Sequence, residues 1–226
     1  KVPPKFVTLV SVDEDEMELL LSAPIAVSSL ERAGGQFLIQ STLNAAQTAR
    51  VRRVSFDASA RLLYLQTDPL TPGTPYTFRI APPTTGIIPL TDIHGNRFSR
   101  DTGATIAFIG YQGKSDPPRI ESVTVVEQGI LDIRFRSPVL PSSVHSDLLP
   151  ARADLQSMTS GESIAIGKGS LSRDARTLRI VVGNMREGDR YRLRIAGVLG
   201  PGLSEVPAPG AEMTFIMALP SEEDAL

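Results

Sequence analysis

Five arginines are the residues best able to do chemistry with an outside partner. Arg190, Arg192 and Arg194 alternate with Tyr191, Leu193 and Ile195, and Arg134 and Arg136 alternate in the same way around Phe135. Guanidinium groups set two residues apart on an extended chain line one face, where each can grip a carboxylate with paired hydrogen bonds. If the two strands are neighbours, the rows join into a basic patch that suits an acidic polymer or an acidic partner surface. The plainer expectation is a solvated sheet face balanced by Asp132, Glu187 and Asp189. Nucleic-acid binding would add stacking aromatics, which this stripe lacks.

The remaining polar clusters read as turns. Asp92-Ile93-His94-Gly95-Asn96 offers oxygens at Asp92 and Asn96, but calcium takes about six to eight oxygen ligands, and the loop is short of acids. The expectation is a tight turn, with an Asx-type hydrogen bond from Asp92 and with Gly95 or Asn96 at positive φ. Asp13-Glu14-Asp15-Glu16 reads as a solvated hairpin tip, because neighbouring carboxylates on an extended chain point apart. His94 and His145 have no marked partners for a zinc site or a Ser-His-Asp arrangement, and are expected in loops. No metal or other cofactor is implied. No acid/base pair or activated nucleophile stands out, so the chain is expected not to be an enzyme.

The elements that carry these residues form two copies. Leu70-Thr71-Pro72-Gly73-Thr74-Pro75-Tyr76-Thr77-Phe78-Arg79-Ile80 returns as Met185-Arg186-Glu187-Gly188-Asp189-Arg190-Tyr191-Arg192-Leu193-Arg194-Ile195. Each is a glycine turn, a tyrosine and a strand of period two. A tyrosine just after a turn at the start of a late strand suits a tyrosine corner. The ring of Tyr76 or Tyr191 would join the core while its hydroxyl bonds back to the turn backbone. Gly73 and Gly188 allow the positive φ of the turn. Upstream, Pro4 matches Pro118, Pro24 matches Pro138, and Ser28-Ser29 matches Ser142-Ser143, all at one offset. Ala60-Arg61 then matches Ala175-Arg176, and Phe108 matches Phe215 after the second copy loses several residues. A register broken only in loops means one fold used twice.

In the first copy the strands are expected at Phe6–Val12, Met17–Leu21, Gln36–Gln40, Val51–Phe56, Arg61–Gln66, Tyr76–Ile80 and Thr105–Ile109. Seven short strands with turn signals between them make an antiparallel β-sandwich. The expected fold class is therefore all-β, with two tandem Ig-like sandwiches: residues 1–110, a linker at 111–118, residues 119–219, and a flexible acidic tail at 220–226. Pro117-Pro118 stiffens the linker, so limited bending between the domains is expected. Ser28–Gly34 and Ser142–Leu149 would each hold a short helical turn, with Ser-Ser as its N-cap.

Composition bounds the function. The 226 residues carry no cysteine, which excludes disulfides and thiolate metal sites. The net charge of −2 gives no global basic field for nucleic acid. No apolar run reaches the roughly 20 residues of a membrane span. The absence of tryptophan and the core placement of Tyr76 and Tyr191 argue against an aromatic sugar platform. The chain starts at Lys1 rather than Met, as expected of a processed or excised piece.

These residues resemble the SbsA-type bacterial Ig-like domains of surface-layer and other envelope proteins. The resemblance rests on Leu21-Ser22-Ala23-Pro24-Ile25 and Phe135-Arg136-Ser137-Pro138-Val139. It rests also on the Leu70–Tyr76 turn, the Asp92-x-x-Gly95-Asn96 loop and the last strand ending at Phe108. The second copy departs from the pattern, with Gly200-Pro201-Gly202 where the Asp-x-x-Gly-Asn loop would stand. The resemblance implies an extracytoplasmic β-sandwich module, on a bacterial surface, in a periplasm or secreted, that spaces or assembles neighbouring parts. Its partners would be other domains of a longer chain and proteins of an envelope assembly. Two alternatives stand beside it: a protein- or glycan-binding module, and accessory domains of a larger secreted enzyme.

Overall fold

The computed structural model describes residues 2–30, 36–81, 89–98, 104–113, 116–144, 149–205 and 210–220. His145 and the tail at 221–226 lie outside the described residues, as do parts of the two proposed helical segments and of the linker. The chain divides into two compact units, Lys1–Lys114 and Ser115–Leu226.

The first unit is a sandwich of two four-stranded antiparallel sheets. One sheet contains β1 (Phe6–Ser11), β2 (Glu16–Leu21), β5 (Val51–Phe56) and β6 (Leu62–Thr67), in the order β1-β2-β6-β5. The other contains β3 (Phe37–Ser41), β4 (Thr48–Ala49), β7 (Pro75–Ile80) and β8 (Thr105–Ile109), in the order β4-β3-β7-β8. Alternation explains the central strands: Tyr76 and Phe78 of β7 point inward and are buried, as are Ile106 and Phe108 of β8. The core joins Phe6, Leu19, Leu21, Ile39, Leu63, Leu65, Tyr76 and Phe78 from both sheets. Phe78 lies 5.4 Å from Phe6 and 5.1 Å from Phe37, centroid to centroid, within the range of favourable ring pairs.

The second unit repeats the plan. Its first sheet contains β9 (Ile120–Glu127), β10 (Ile130–Phe135), β12 (Ile166–Leu171) and β13 (Thr177–Val182), ordered β12-β13-β10-β9. Its second contains β11 (Ala153–Ser157), β14 (Arg190–Ile195) and β17 (Ala211–Ile216), ordered β11-β14-β17. A two-stranded ribbon of β15 (Leu199–Gly200) and β16 (Ser204–Glu205) stands between β14 and β17 in sequence. In both units the first, second, fourth and fifth long strands share one sheet, and the third, sixth and seventh share the other. That division is the immunoglobulin arrangement. The protein is all-β, with two Ig-like sandwiches.

Two sequence expectations need correction. β10 and β14 lie in different sheets, so the row of Arg134 and Arg136 and the row of Arg190, Arg192 and Arg194 do not join into one patch. Local alternation reports which face a residue takes but not which sheet a strand joins. The paired serines also do not cap helices. α1 (Val27–Leu30) and α2 (Pro141–Val144) contain them, and the Ser29 and Ser143 hydroxyls donate back to the carbonyls of Ala26 (2.7 Å) and Leu140 (2.8 Å). Both serines are buried, and a buried hydroxyl takes the nearest acceptor, here three residues back. A third short helix, α3 (Leu149–Arg152), precedes β11.

Candidate functional site

The two tyrosine turns have matching geometry. The Tyr76 hydroxyl accepts the Thr71 backbone N–H at 3.0 Å, and the Tyr191 hydroxyl accepts that of Arg186 at 2.7 Å. Both rings are buried. Gly73 and Gly188 hold φ of 69° and 82°, where a side chain would be strained. In the first unit Gln47 adds its side-chain amide, donating to the Tyr76 hydroxyl at 3.1 Å and to the Thr71 hydroxyl at 2.7 Å. These groups serve the turn itself.

Asp92 is buried and closes a five-residue hairpin. Its Oδ1 accepts the N–H groups of His94 (2.9 Å) and Asn96 (2.8 Å), and its Oδ2 accepts the Asn96 side-chain amide (2.7 Å). Gly95 has φ 77°. Desolvation pushes the Asp92 carboxyl up. Hydrogen bonds from the Asn96 side chain, the Asn96 N–H and the His94 N–H outweigh it, with help from the charge of His94, and hold the carboxyl below the usual range. The hairpin is pinned to the Pro24 segment: Ile93 N–H donates to the Pro24 carbonyl at 3.1 Å, and Ala26 N–H donates to that of Thr91 at 2.9 Å. His94 sits on the exposed side of this turn.

The second unit keeps this hairpin without its acid. Leu140 N–H donates to the Leu199 carbonyl at 2.7 Å, as Ala26 does to Thr91, and Gly200 pairs with Ser204 across the ribbon. Gly200-Pro201-Gly202-Leu203-Ser204 thus stands where Asp92–Asn96 stands in the first unit. The Ser204 hydroxyl donates to the Pro201 carbonyl at 3.2 Å, and Gly202 and Leu203 take φ of 70° and 53°. The sequence pattern is absent, but the backbone turn is present. Pro138 begins the matching segment, where Val139 N–H donates to the Ala175 carbonyl at 2.9 Å.

At the Asp13–Glu16 tip, the Asp13 carboxylate accepts the N–H groups of Asp15 (3.0 Å) and Glu16 (2.9 Å), which caps the β1–β2 turn.

The arginines divide by sheet. On β10, Arg134 pairs with Glu121 at 3.1 Å, and Arg136 just beyond it is exposed. Beside them Arg179 grips Asp132 through two bonds of 2.8 Å, so Asp132 balances a strand neighbour of β10 and not the β14 row. On β14, Arg194 donates twice to one oxygen of Glu212, at 3.0 and 2.8 Å. Arg192 donates to the Gln156 side chain at 2.7 Å, and its Nε is buried with no acceptor among the described residues. The exposed Arg190 side chain has no ion-pair partner among the described residues.

The described residues include no helix long and apolar enough to cross a membrane. No family model matches the chain, and no curated protein matches it. Among solved structures it is similar to the N-terminal part of the bacterial S-layer protein SbsC. The identity there is 10% and the TM-score 0.41, over 97% of this chain and 45% of that one. It is similar also to the Group B Streptococcus pullulanase SAP, at 7% identity and TM-score 0.30, over 87% of this chain and 23% of that one. A third likeness is to the chicken CNTN1 FN1–FN3 domains, at 9% identity and TM-score 0.23, over 96% and 99% of the two chains. The chain spans less than half the length of the SbsC structure.

Proposed function

We propose that the chain is a non-catalytic spacer module of a longer bacterial extracytoplasmic protein, holding neighbouring parts of that protein apart. The observation that carries this reading is where the polar side chains go. Asp92, Asp13 and the Tyr76 hydroxyl in the first unit all bond to the chain's own turns, and the Tyr191 hydroxyl does the same in the second. Side chains that hold turns in this way serve the fold, which is the work a spacer asks of them. The bacterial and extracytoplasmic parts of the reading rest on the resemblance carried by the Leu70–Tyr76 turn, the Asp92–Asn96 loop and the Pro24 and Pro138 segments.

The test exchanges residues 1–226 in the parent protein for an unrelated tandem pair of Ig-like domains. Export, display and the parent's assembly are expected to persist. Loss of assembly with normal export would refute the spacer role.

A further inference from the structure

We propose that the outer face of the β11–β14–β17 sheet docks a short protein segment that presents carboxylates between apolar side chains. This goes beyond the spacer reading and does not depend on it. Three rows cross this face. In the lowest, Arg194 is paired with Glu212 and stands opposite the exposed Asp154, so this row carries the acids of the face. The other two contain no acid. In one, Arg190 stands opposite Ile216 and beside Met158, whose N–H donates to the Arg190 carbonyl. In the other, Arg192 stands between Gln156 and Thr214. Met158 and Ile216 are 54% and 56% exposed, so a cation with no ion-pair partner among the described residues is flanked by two exposed apolar side chains. Arginine and methionine are among the residues enriched at interface centres.

The Arg192 guanidinium is already in place. Gln156 accepts from it at 2.7 Å and is itself fixed by donating to the Gly161 carbonyl at 3.0 Å. One donor of Arg192, its Nε, is buried with no acceptor among the described residues, which is unusual for a buried polar atom.

The first unit supplies an internal control. Its β7 carries Pro75 and Thr77 where β14 carries Arg190 and Arg192, and Arg79 where β14 carries Arg194. The corresponding sheet of the first unit therefore forms without arginines at the Arg190 and Arg192 positions. The size of the face sets the partner. Three strands span about 14 Å, and six residues run about 20 Å. That area of about 280 Å² falls far below the ~800 Å² per side of a standard globular interface, and suits a segment of a few residues.

The test titrates the whole chain into a fluorescein-labelled peptide of about eight residues alternating leucine and glutamate, at low salt, and reads anisotropy. The glutamate peptide is expected to bind at least about tenfold more tightly than its glutamine twin, and Arg190→Thr/Arg192→Thr is expected to lose that preference. The double variant is expected to keep the wild-type urea midpoint, since the first unit folds without these arginines, which separates loss of binding from loss of fold. Equal binding of the glutamine twin, or unchanged binding by the folded double variant, would overturn the proposal. So would arginine-dependent binding of dextran sulfate with no binding of the peptide, which would assign the face to a polyanion.

Discussion

The Ser59 hydroxyl donates to the carboxylate of Asp57 at 2.8 Å, and in the second unit the two roles are exchanged between Ser172 and Asp174. In the first unit Asp57 accepts the Leu62 N–H and Ser59 accepts the Arg61 N–H. In the second, Ser172 accepts the Thr177 N–H and Asp174 accepts the Arg176 N–H. One turn is thus built by either order of the same two side chains. Asp57→Ser is expected to cost about 1 kcal/mol, the worth of a capping bond. The exchange Asp57→Ser/Ser59→Asp is expected to recover most of it. Urea unfolding checks this, and a double variant no better than the single one would contradict it.

The residue after that pair is strained in both copies. Ala60 and Ala175 hold φ of 53° and 57°, and their carbonyls accept the N–H groups of Ile25 and Val139, each at 2.9 Å. An L residue in this region costs about 1–2 kcal/mol, and glycine escapes that strain at a chain-entropy cost of about 0.5–1 kcal/mol. Ala60→Gly is expected to stabilise by up to about 1 kcal/mol and Ala175→Gly by less, because the Ala175 methyl is buried, whereas Ala60→Val destabilises because a β-branched side chain tolerates positive φ poorly. Thermal unfolding of the three variants decides the matter through the opposite signs.

Removing the tyrosine hydroxyls tests the corner. Tyr76→Phe and Tyr191→Phe leave the N–H groups of Thr71 and Arg186 without their acceptor, at an expected cost of about 1–2 kcal/mol each. Two unfolding midpoints that do not move would show that water replaces the hydroxyl without loss.

These features differ in how far the sequence reveals them. Tyr76 and Tyr191 are legible because a Gly turn and a period-two strand surround each. β4, only Thr48–Ala49, has too few residues to show a period, and it pairs with β3 at two positions only. Ala60 and Ala175 carry no sign of positive φ in their identity: each N–H closes a local turn onto the Asp57 or Ser172 carbonyl at 3.0 Å, and each carbonyl holds Ile25 or Val139. The hairpin at Gly200–Ser204 is hidden for the opposite reason: glycine and proline build by backbone freedom what Asp92 builds by hydrogen bonds. The face of Arg192 was readable from alternation, but its fixation by Gln156 was not, because strand pairing joins residues far apart in the chain.

Asp92 ties stability to pH. Its folded pKa lies below the unfolded value of about 4, so its contribution is complete above that value and fades as pH falls through the folded one. Asp92→Asn is expected to lower the melting temperature at pH 7, because the charged acceptor of three hydrogen bonds is lost. The gap from wild type is expected to shrink as pH falls below about 4. A gap of constant size across that range would mean that Asp92 acts through shape and not charge.

The duplication gives the most direct test of the spacer account. In the parent protein, residues 115–226 would be replaced by a second copy of residues 1–114, and display and assembly compared with wild type. The account expects both to match wild type, since the second unit contributes a second sandwich of the same plan. Loss of assembly with normal folding and export would contradict it. It would show that assembly itself needs contacts which the second unit makes and the first cannot, the arginine face of β14 among them.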